Sequence, residues 1–193
     1  ERHIKKADVY LLKKHLTTEF NIEGYPSDDF IALMKEIRPD QITLVPDPPG
    51  VLTSDAGFML KDDLSFVISV IKKLRPIKAR ISLFIEPKDF VGREHIIKET
   101  GTDRVELYTK RYADNPHCPE TLKSYRDFAY KIKEQGIALN AGHDLSLDNL
   151  RLFLSNIPII DEVSIGHALI CDAIYLGLEN TVQLYKRQLN KQV

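Results

Sequence analysis

Acidic and imidazole side chains stand where the predicted strands end, and they are the residues of this sequence best suited to chemistry. Glu23 closes the first predicted strand, Glu106 lies near the end of the fourth, and His143 and His167 come shortly after the fifth and sixth. Carboxyl and imidazole groups act as general acids and bases when their pKa values lie near neutral pH. The pattern therefore predicts proton-transfer chemistry.

Other polar residues follow the same rule. Asp47 comes shortly after the second predicted strand, Glu86 directly after the third, and Asn140 closes the fifth. A single glutamate at a strand end is more often a solvated or salt-bridged group, and a lone histidine is more often structural. The convergence of so many titratable groups at the same ends favours a functional site.

Two glycine-histidine pairs follow predicted strands, and one of them points to anion binding. Gly166-His167 lies between a strand and a helix, where unpaired N–H groups and the positive end of the helix dipole suit a phosphate. The last strands of α/β barrels often hold phosphate in this way. Gly142-His143 also follows a strand, but an ordinary strand-end turn explains that dipeptide equally well.

The elements that position these residues alternate along the chain. Short apolar runs typical of strands buried on both faces alternate with helical patterns, such as the stripe formed by Leu64, Val67, Ile68 and Ile71. Strict alternation predicts parallel strands joined by right-handed crossovers. The six predicted strands cover residues 20–23, 41–45, 80–85, 104–107, 137–140 and 162–165.

The order of elements predicts an eight-stranded barrel. A helical pattern over residues 5–16 precedes the first strand, and a crossover helix needs a strand upstream from which it returns. A full barrel typically has ~250 residues, which fits the expectation that a piece of about 50 is missing. We therefore expect a (β/α)8 TIM barrel whose first two strands are absent from this chain, with residues 1–193 forming a single, amino-terminally incomplete domain. An open doubly wound sheet is the alternative.

Composition excludes several classes of partner. The 27 basic and 28 acidic residues give a net charge of -1, which offers no electrostatic case for nucleic acid or an anionic membrane surface. No apolar run approaches the ~20 residues that span a bilayer. Cys118 and Cys171 lack metal-site spacing, and we expect them to be reduced thiols of a cytoplasmic protein.

Several motifs resemble those of the pyridoxine 5'-phosphate synthase family, and they occur in the family's order. Residues 140–145 (NAGHDL) match the family's "NAGHGL/NAGHDL" signature, and residues 163–168 (VSIGHA) resemble "LNIGHAI". The shorter similarities are residues 2–4 (RHI) to the end of "REDRRHI", 44–46 (LVP) to "LVPE", 82–85 (SLFI) to "SLFID", and 106–113 (ELYTKRYA) to "IEIHTGxYA". The resemblance covers the whole chain.

This resemblance implies an enzyme that condenses 1-deoxy-D-xylulose 5-phosphate with 3-amino-2-oxopropyl phosphate. The products are pyridoxine 5'-phosphate, inorganic phosphate and water. The resemblance further implies small phosphorylated substrates, no metal or organic cofactor, a cytoplasmic location and a homo-octamer of barrels.

It also implies roles for individual residues. Glu23 corresponds to a general base, His143 to a general acid, and Glu106 to a group that stabilises the transition state. The apolar neighbours Phe20 and Ile22 lead us to expect that the carboxylate of Glu23 is partly desolvated.

Substrate-binding roles follow from the same correspondence. His3 and Thr53 match residues that hold the deoxyxylulose phosphate. Asp144, Gly166 and His167 match residues that hold the aminoketone phosphate, and we expect the contact of Asp144 to come from its backbone.

The sequence departs from the family pattern at several positions. Residues 52–57 (LTSDAG) replace "VTTEGG", Tyr108 stands where histidine is common, and Lys110 where glycine is common. The functional groups on the family's first strands have no counterpart here. Two alternatives therefore stay open. One is another phosphosugar lyase, aldolase or isomerase, for which Glu23, Glu106 and His143 would be candidate metal ligands; the other is a barrel that binds phosphorylated metabolites without catalysis.

Overall fold

A computed structural model describes residues 3–48, 50–51 and 56–189 of the chain. Within these ranges six strands form one sheet in chain order, β1-β2-β3-β4-β5-β6. Parallel pairing joins β1 to β2, β2 to β3, and β5 to β6. All six predicted strands are confirmed; their bounds are Asn21–Gly24 (β1), Gln41–Leu44 (β2), Arg80–Ile85 (β3), Arg104–Tyr108 (β4), Ala138–Gly142 (β5) and Glu162–Ser164 (β6).

Helices fill the segments between the strands. The helix predicted before β1 is confirmed, and short 3-10 helices cover Arg75–Ile77 and Pro87–Phe90. The α-helices of the described ranges are Lys6–His15 (α1), Asp28–Ile37 (α2), Leu64–Leu74 (α3), His95–Glu99 (α4), Lys110–Asp114 (α5), Pro119–Glu134 (α6), Leu150–Asn156 (α7), His167–Leu176 (α8) and Leu178–Leu189 (α9). None of them is long and apolar enough to cross a membrane.

The chain divides into two compact units. The first contains α1–α4 and β1–β3 and ends within β4 at Glu106; the second runs from Leu107 onward and includes residues 87–92. The expectation of a single domain over residues 1–193 stays a prediction.

Local signals explain the helices of the first unit. The Oγ atom of Ser27 accepts a hydrogen bond from the backbone N–H of Phe30 at 3.2 Å, so this serine is the N-cap of α2. A cluster of Val9, Phe20 and Ile37 packs α1 and α2 beside the start of β1. Apolar burial thus anchors these two helices to the sheet.

Aromatic residues form the core of the second unit. The ring of Phe153 lies 4.8 Å from that of Tyr112 and 5.8 Å from that of Tyr125, measured between centroids. The Tyr112 hydroxyl donates to the carbonyl of Asn149 at 2.6 Å, and the Tyr125 hydroxyl donates to the carbonyl of Tyr108 at 2.6 Å. Burial raises the pKa of Tyr112 to about 12 because the phenolate would be desolvated.

An aspartate stands immediately before β2, β4 and β6. Each aspartate forms a reciprocal pair of hydrogen bonds with one residue at the start of the preceding strand. The carboxylates of Asp40, Asp103 and Asp161 accept from the backbone N–H groups of Phe20 at 2.8 Å, Ile81 at 2.8 Å and Leu139 at 2.9 Å, respectively. Each aspartate's own N–H donates to the carbonyl of the same residue, at 3.0, 2.9 and 2.8 Å in that order. The carboxylate therefore completes the hydrogen bonding at the start of each strand pair.

Two of these aspartates also bind cations. Arg75 Nη1 lies 2.7 Å from Asp103 Oδ2, and Lys133 Nζ lies 2.9 Å from Asp161 Oδ2. Each cation belongs to the last turn of a helical segment that leads back to the sheet. The aspartate thus joins the end of that segment to the start of a strand pair.

Replacing Asp103 with alanine should lower the free energy of unfolding by about 1.5–3 kcal/mol, the range for hydrogen bonds to charged groups. The N–H of Ile81 would lose its acceptor and Arg75 its carboxylate. Urea denaturation measures this, with the exposed Asp62→Ala as the matched control, expected to change the value by less than about 0.5 kcal/mol. If both substitutions changed the free energy of unfolding equally, this result would contradict the role of Asp103 in aligning the starts of the paired strands.

Candidate active site

Glu23 lies on a polar face of the first unit's strands. The parallel register places it beside Thr43, which in turn lies beside Ser82. Thr43 and Ser82 are fully buried, whereas Glu23 is exposed. The expected partial desolvation of Glu23 is therefore wrong in this structure: β1 is the edge strand of the described sheet, so a strand covers it on one side only.

A second row of polar residues lies two residues nearer the amino ends of the same strands. It consists of Asn21, Gln41 and Arg80. The Thr43 hydroxyl donates to Asn21 Oδ1 at 3.2 Å, and Arg80 Nε donates to Gln41 Oε1 at 3.2 Å. This face of the sheet is thus lined with hydrogen-bonding groups rather than with the branched apolar residues that dominate most barrel interiors.

Sequence reasoning missed this polar face, although the signal was present. Polar and apolar residues alternate in 41–44 (QITL) and in 80–83 (RISL), which is the period of a strand with two different faces. The short strands were interpreted as mostly apolar and buried on both faces, and the alternation was overlooked.

Three buried carboxylates lie at or near the carboxyl ends of the first unit's strands. Glu106 is only 1% exposed, and Asp47 and Glu86 are also buried. The segment after β2 packs directly on the end of β3: a Cβ at Gly57 would lie 2.4 Å from the backbone nitrogen of Glu86. Only glycine permits this approach, which fits the alignment of Gly57 with the family pattern.

In the second unit, Thr109 holds the loop that carries His143. Its N–H and its hydroxyl donate to the carbonyl of Gly142 at 3.1 and 2.8 Å, and the hydroxyl also contacts the carbonyl of His143. The ring of His143 meets that of Tyr108 edge-on, with centroids 5.0 Å apart. The imidazole is therefore supported from the end of β4.

Asp144 follows His143 in an unusual backbone conformation. Both residues have positive φ, 70° for His143 and 47° for Asp144. Nδ1 of His143 lies 2.8 Å from Oδ2 of Asp144. The carbonyl of Asp144 accepts from Asn149 Nδ2 at 3.1 Å, and the N–H of Ser146 donates to Asn149 Oδ1 at 2.9 Å, so the turn is fixed on its far side as well.

A cation lies near this loop. Lys110 pairs with Asp114, and that hydrogen bond, with a smaller attraction from Asp144, raises the pKa of the Lys110 ammonium.

The Gly166-His167 junction has the predicted form. Gly166 is the N-cap of α8, which begins at His167, and both residues are exposed. A Cβ at Gly166 would meet no atom within 4 Å, so the space beside the first turn of the helix is open. The junction leaves room for a ligand at the N–H groups of that turn.

The predicted site residues are distributed over both units. Glu23 and Glu106 belong to the first; His143, Asp144, Gly166 and His167 belong to the second, where His143 and Asp144 are in direct contact. His3 is exposed near the start of the described residues, and Thr53 lies outside them. Within the described ranges, no three side chains of histidine, cysteine, aspartate or glutamate are grouped so that they could hold a metal ion.

Solved structures of other enzymes resemble this fold. A mutant tryptophan synthase α-subunit from Pyrococcus furiosus matches with a TM-score of 0.63 and 17% identity, covering 96% of this chain and 72% of its own. A 3-keto-L-gulonate-6-phosphate decarboxylase from Vibrio cholerae matches with a TM-score of 0.63 and 15% identity, covering 95% of this chain and 78% of its own. These likenesses show a TIM-barrel-like fold and no more.

Sequence relatives are far closer. The pyridoxine 5'-phosphate synthase of Cytophaga hutchinsonii is 49% identical over 193 residues, covering 99% of this chain and 80% of the relative. That of Bacteroides thetaiotaomicron is 51% identical over 191 residues, covering 98% of this chain and 80% of the relative. The family model described as "Pyridoxal phosphate biosynthesis protein PdxJ" matches residues 1–191. With the family's strand-end residues present in two compact units of a parallel α/β fold, this chain belongs to the PdxJ family.

Proposed function

We infer that this chain is a pyridoxine 5'-phosphate synthase, an enzyme of vitamin B6 biosynthesis. The observation that carries this inference is the family match over residues 1–191, together with relatives of that name at about half identity over nearly the whole chain. The reaction joins 1-deoxy-D-xylulose 5-phosphate and 3-amino-2-oxopropyl phosphate, and it releases inorganic phosphate and water.

The chemistry requires several proton transfers. Closing a pyridine ring involves imine formation from an amine and a carbonyl group, removal of protons from carbon, and elimination of water and phosphate. Each step needs a positioned acid or base. We propose Glu23 as the general base and His143 as the general acid.

Glu106 is proposed to stabilise charge that develops in the transition state. Its carboxylate is almost fully buried, and a charge in such surroundings acts strongly on nearby charges because water screens it little. A buried carboxylate suits a cationic imine or iminium intermediate better than it suits either phosphate.

The phosphate groups of the two substrates are proposed to bind away from the carboxylate of Glu106. Gly166 and His167 at the start of α8 would hold the aminoketone phosphate through N–H groups and the helix dipole. His3 and Thr53 would hold the deoxyxylulose phosphate, and the backbone N–H of Asp144 would contribute to the aminoketone side.

We further propose that two strands preceding β1 complete an eight-stranded barrel. The support is α8, an apolar helix of which no residue is buried: Ile174 is 76% exposed and Tyr175 88%. The relatives have about a fifth of their length outside the match. Strands supplied by that part would cover this surface and the outer edge of β6.

The family resemblance supports two more proposals, a homo-octameric assembly and a cytoplasmic location. Cys118 and Cys171 are unpaired thiols, as expected in a reducing compartment.

Replacing Glu23 with glutamine should lower kcat of the full-length protein by about 10²–10⁴, the usual contribution of a general base. Glutamine keeps the shape of the side chain but takes up no proton, so KM should change little. Steady-state kinetics and a melting curve on the same variant test this. The exposed Glu99→Gln serves as control. Near-normal turnover would remove Glu23 from the mechanism.

Inorganic phosphate should bind at the first turn of α8. In an NMR titration, the backbone amides of residues 166–168 should shift and saturate. Those at the start of α2 should not, because Ser27 caps that helix and Asp28 and Asp29 repel anions. Equal responses at both helices, or none at α8, would contradict the proposed phosphate site.

Fusing the amino-terminal fifth of the Bacteroides thetaiotaomicron relative ahead of Glu1 should protect α8 from hydrogen exchange. The exposed side chains of Ile174 and Tyr175 would become buried, and local opening of the helix would become rarer. The amides of α2 provide the internal reference. Unchanged exchange in α8 would favour the open sheet over the barrel.

A further inference from the structure

The side chain of Asp144 contacts the imidazole of His143. Its Oδ2 atom lies 2.8 Å from Nδ1 of His143, a normal distance for a charge-assisted hydrogen bond. An ionised carboxylate can only accept hydrogen bonds, so Nδ1 carries the proton and donates it to this bond. The pair thus defines which ring nitrogen bears hydrogen in the neutral imidazole.

The backbone makes this contact possible. Adjacent side chains on extended backbone point to opposite sides, so they do not meet. Here positive φ angles at both His143 and Asp144 turn the chain so that the two side chains approach each other. Such left-handed conformations are uncommon outside glycine, although aspartate and histidine adopt them more often than most residues.

Hydrogen bonds on both sides maintain that conformation. Thr109 binds the carbonyls of Gly142 and His143, and Asn149 binds the carbonyl of Asp144. Left-handed residues persist where the surroundings over-determine them, and they cluster at functional sites. The conformation is therefore held from outside the pair.

Electrostatics also separates this carboxylate from phosphate binding. A carboxylate beside a phosphate dianion would repel it, and the nearby cation Lys110 is hydrogen-bonded to Asp114. The backbone N–H of Asp144 is a different group and is compatible with a phosphate contact. The side chain needs another role.

We propose that Asp144 is a positioning residue for His143. By accepting the Nδ1–H hydrogen bond, it fixes the ring orientation and the tautomer, so that Nε2 is the nitrogen that exchanges the catalytic proton. When His143 acts as the acid, the proton leaves Nε2 for the oxygen of the departing group, and the imidazole remains neutral with hydrogen on Nδ1. This inference rests on the proposed role of His143 as general acid.

The first test reads the tautomer directly and does not depend on activity. In ¹H–¹⁵N spectra of the intact protein, neutral His143, assigned by its absence in His143→Gln, should show hydrogen on Nδ1. Asp144→Gly should shift it toward the Nε2–H form, whereas Asp144→Asn, which keeps an acceptor oxygen, should retain much of the Nδ1–H form. An unchanged tautomer in Asp144→Gly would overturn the proposal.

The second test separates positioning from substrate binding. Asp144→Gly should lower kcat by about 10–10², the cost of a misplaced catalytic group, with little change in KM for the aminoketone phosphate. Asp144→Asn should recover part of the loss. Asp148→Asn, an exposed aspartate of the same loop, is the control and should keep normal turnover.

The experiments distinguish a failure of the positioning role of Asp144 from a failure of the general-acid role of His143. A raised KM with normal kcat in Asp144→Gly would make the side chain a substrate ligand and overturn the positioning role. Normal turnover in His143→Gln would reject the general-acid role, and the positioning role with it. Glycine accepts positive φ without strain, so a lost fold is not expected from Asp144→Gly, and its melting temperature verifies this.

Discussion

The reciprocal pair between an aspartate and the start of the preceding strand is the interaction on which the placement of the other residues depends. In parallel strands a shift of one residue turns every side chain to the opposite face, so the register must be fixed somewhere. Asp40, Asp103 and Asp161 each fix it with two hydrogen bonds to a single residue of the neighbouring strand. Once these ends are aligned, the polar residues of β1–β3 share one face and the apolar residues share the other.

At and beyond the carboxyl ends of the second unit's strands, side-chain hydroxyl groups fix the backbone by donating hydrogen bonds to its carbonyl groups. Tyr125 binds the carbonyl of Tyr108, Thr109 binds that of Gly142, and Tyr112 binds that of Asn149. These carbonyls lie at strand ends and in the loop after β5, where the sheet no longer supplies partners. Three hydroxyls, two of them from the aromatic core, thereby connect the packing of the unit to the loop that carries His143. The imidazole is positioned by the core and not by its own loop alone.

The sequence predicted what depends on short-range patterns. The strand order and the strand–glycine–helix junction at Gly166 each follow from a few neighbouring residues, and the structure contains both. The exposure of Glu23 was not predictable from its apolar neighbours, because it depends on which strands lie beside β1. The aspartate pairs are single residues whose partners are about 20 positions away. The contact between His143 and Asp144 requires two consecutive left-handed residues, and the modest preference of histidine and aspartate for this conformation is too weak to predict the pair.

The aspartate pairs also separate the residues that align the strands from the polar residues that could form a site. They fix the sheet at the amino ends of its strands, whereas the acids, imidazoles and glycines lie at the opposite ends. We therefore expect a mutation in a loop at the carboxyl ends to leave the alignment of the strands intact, so that its structural effect is confined to that loop. The loops at the carboxyl ends can therefore change in sequence while the alignment of the strands stays the same.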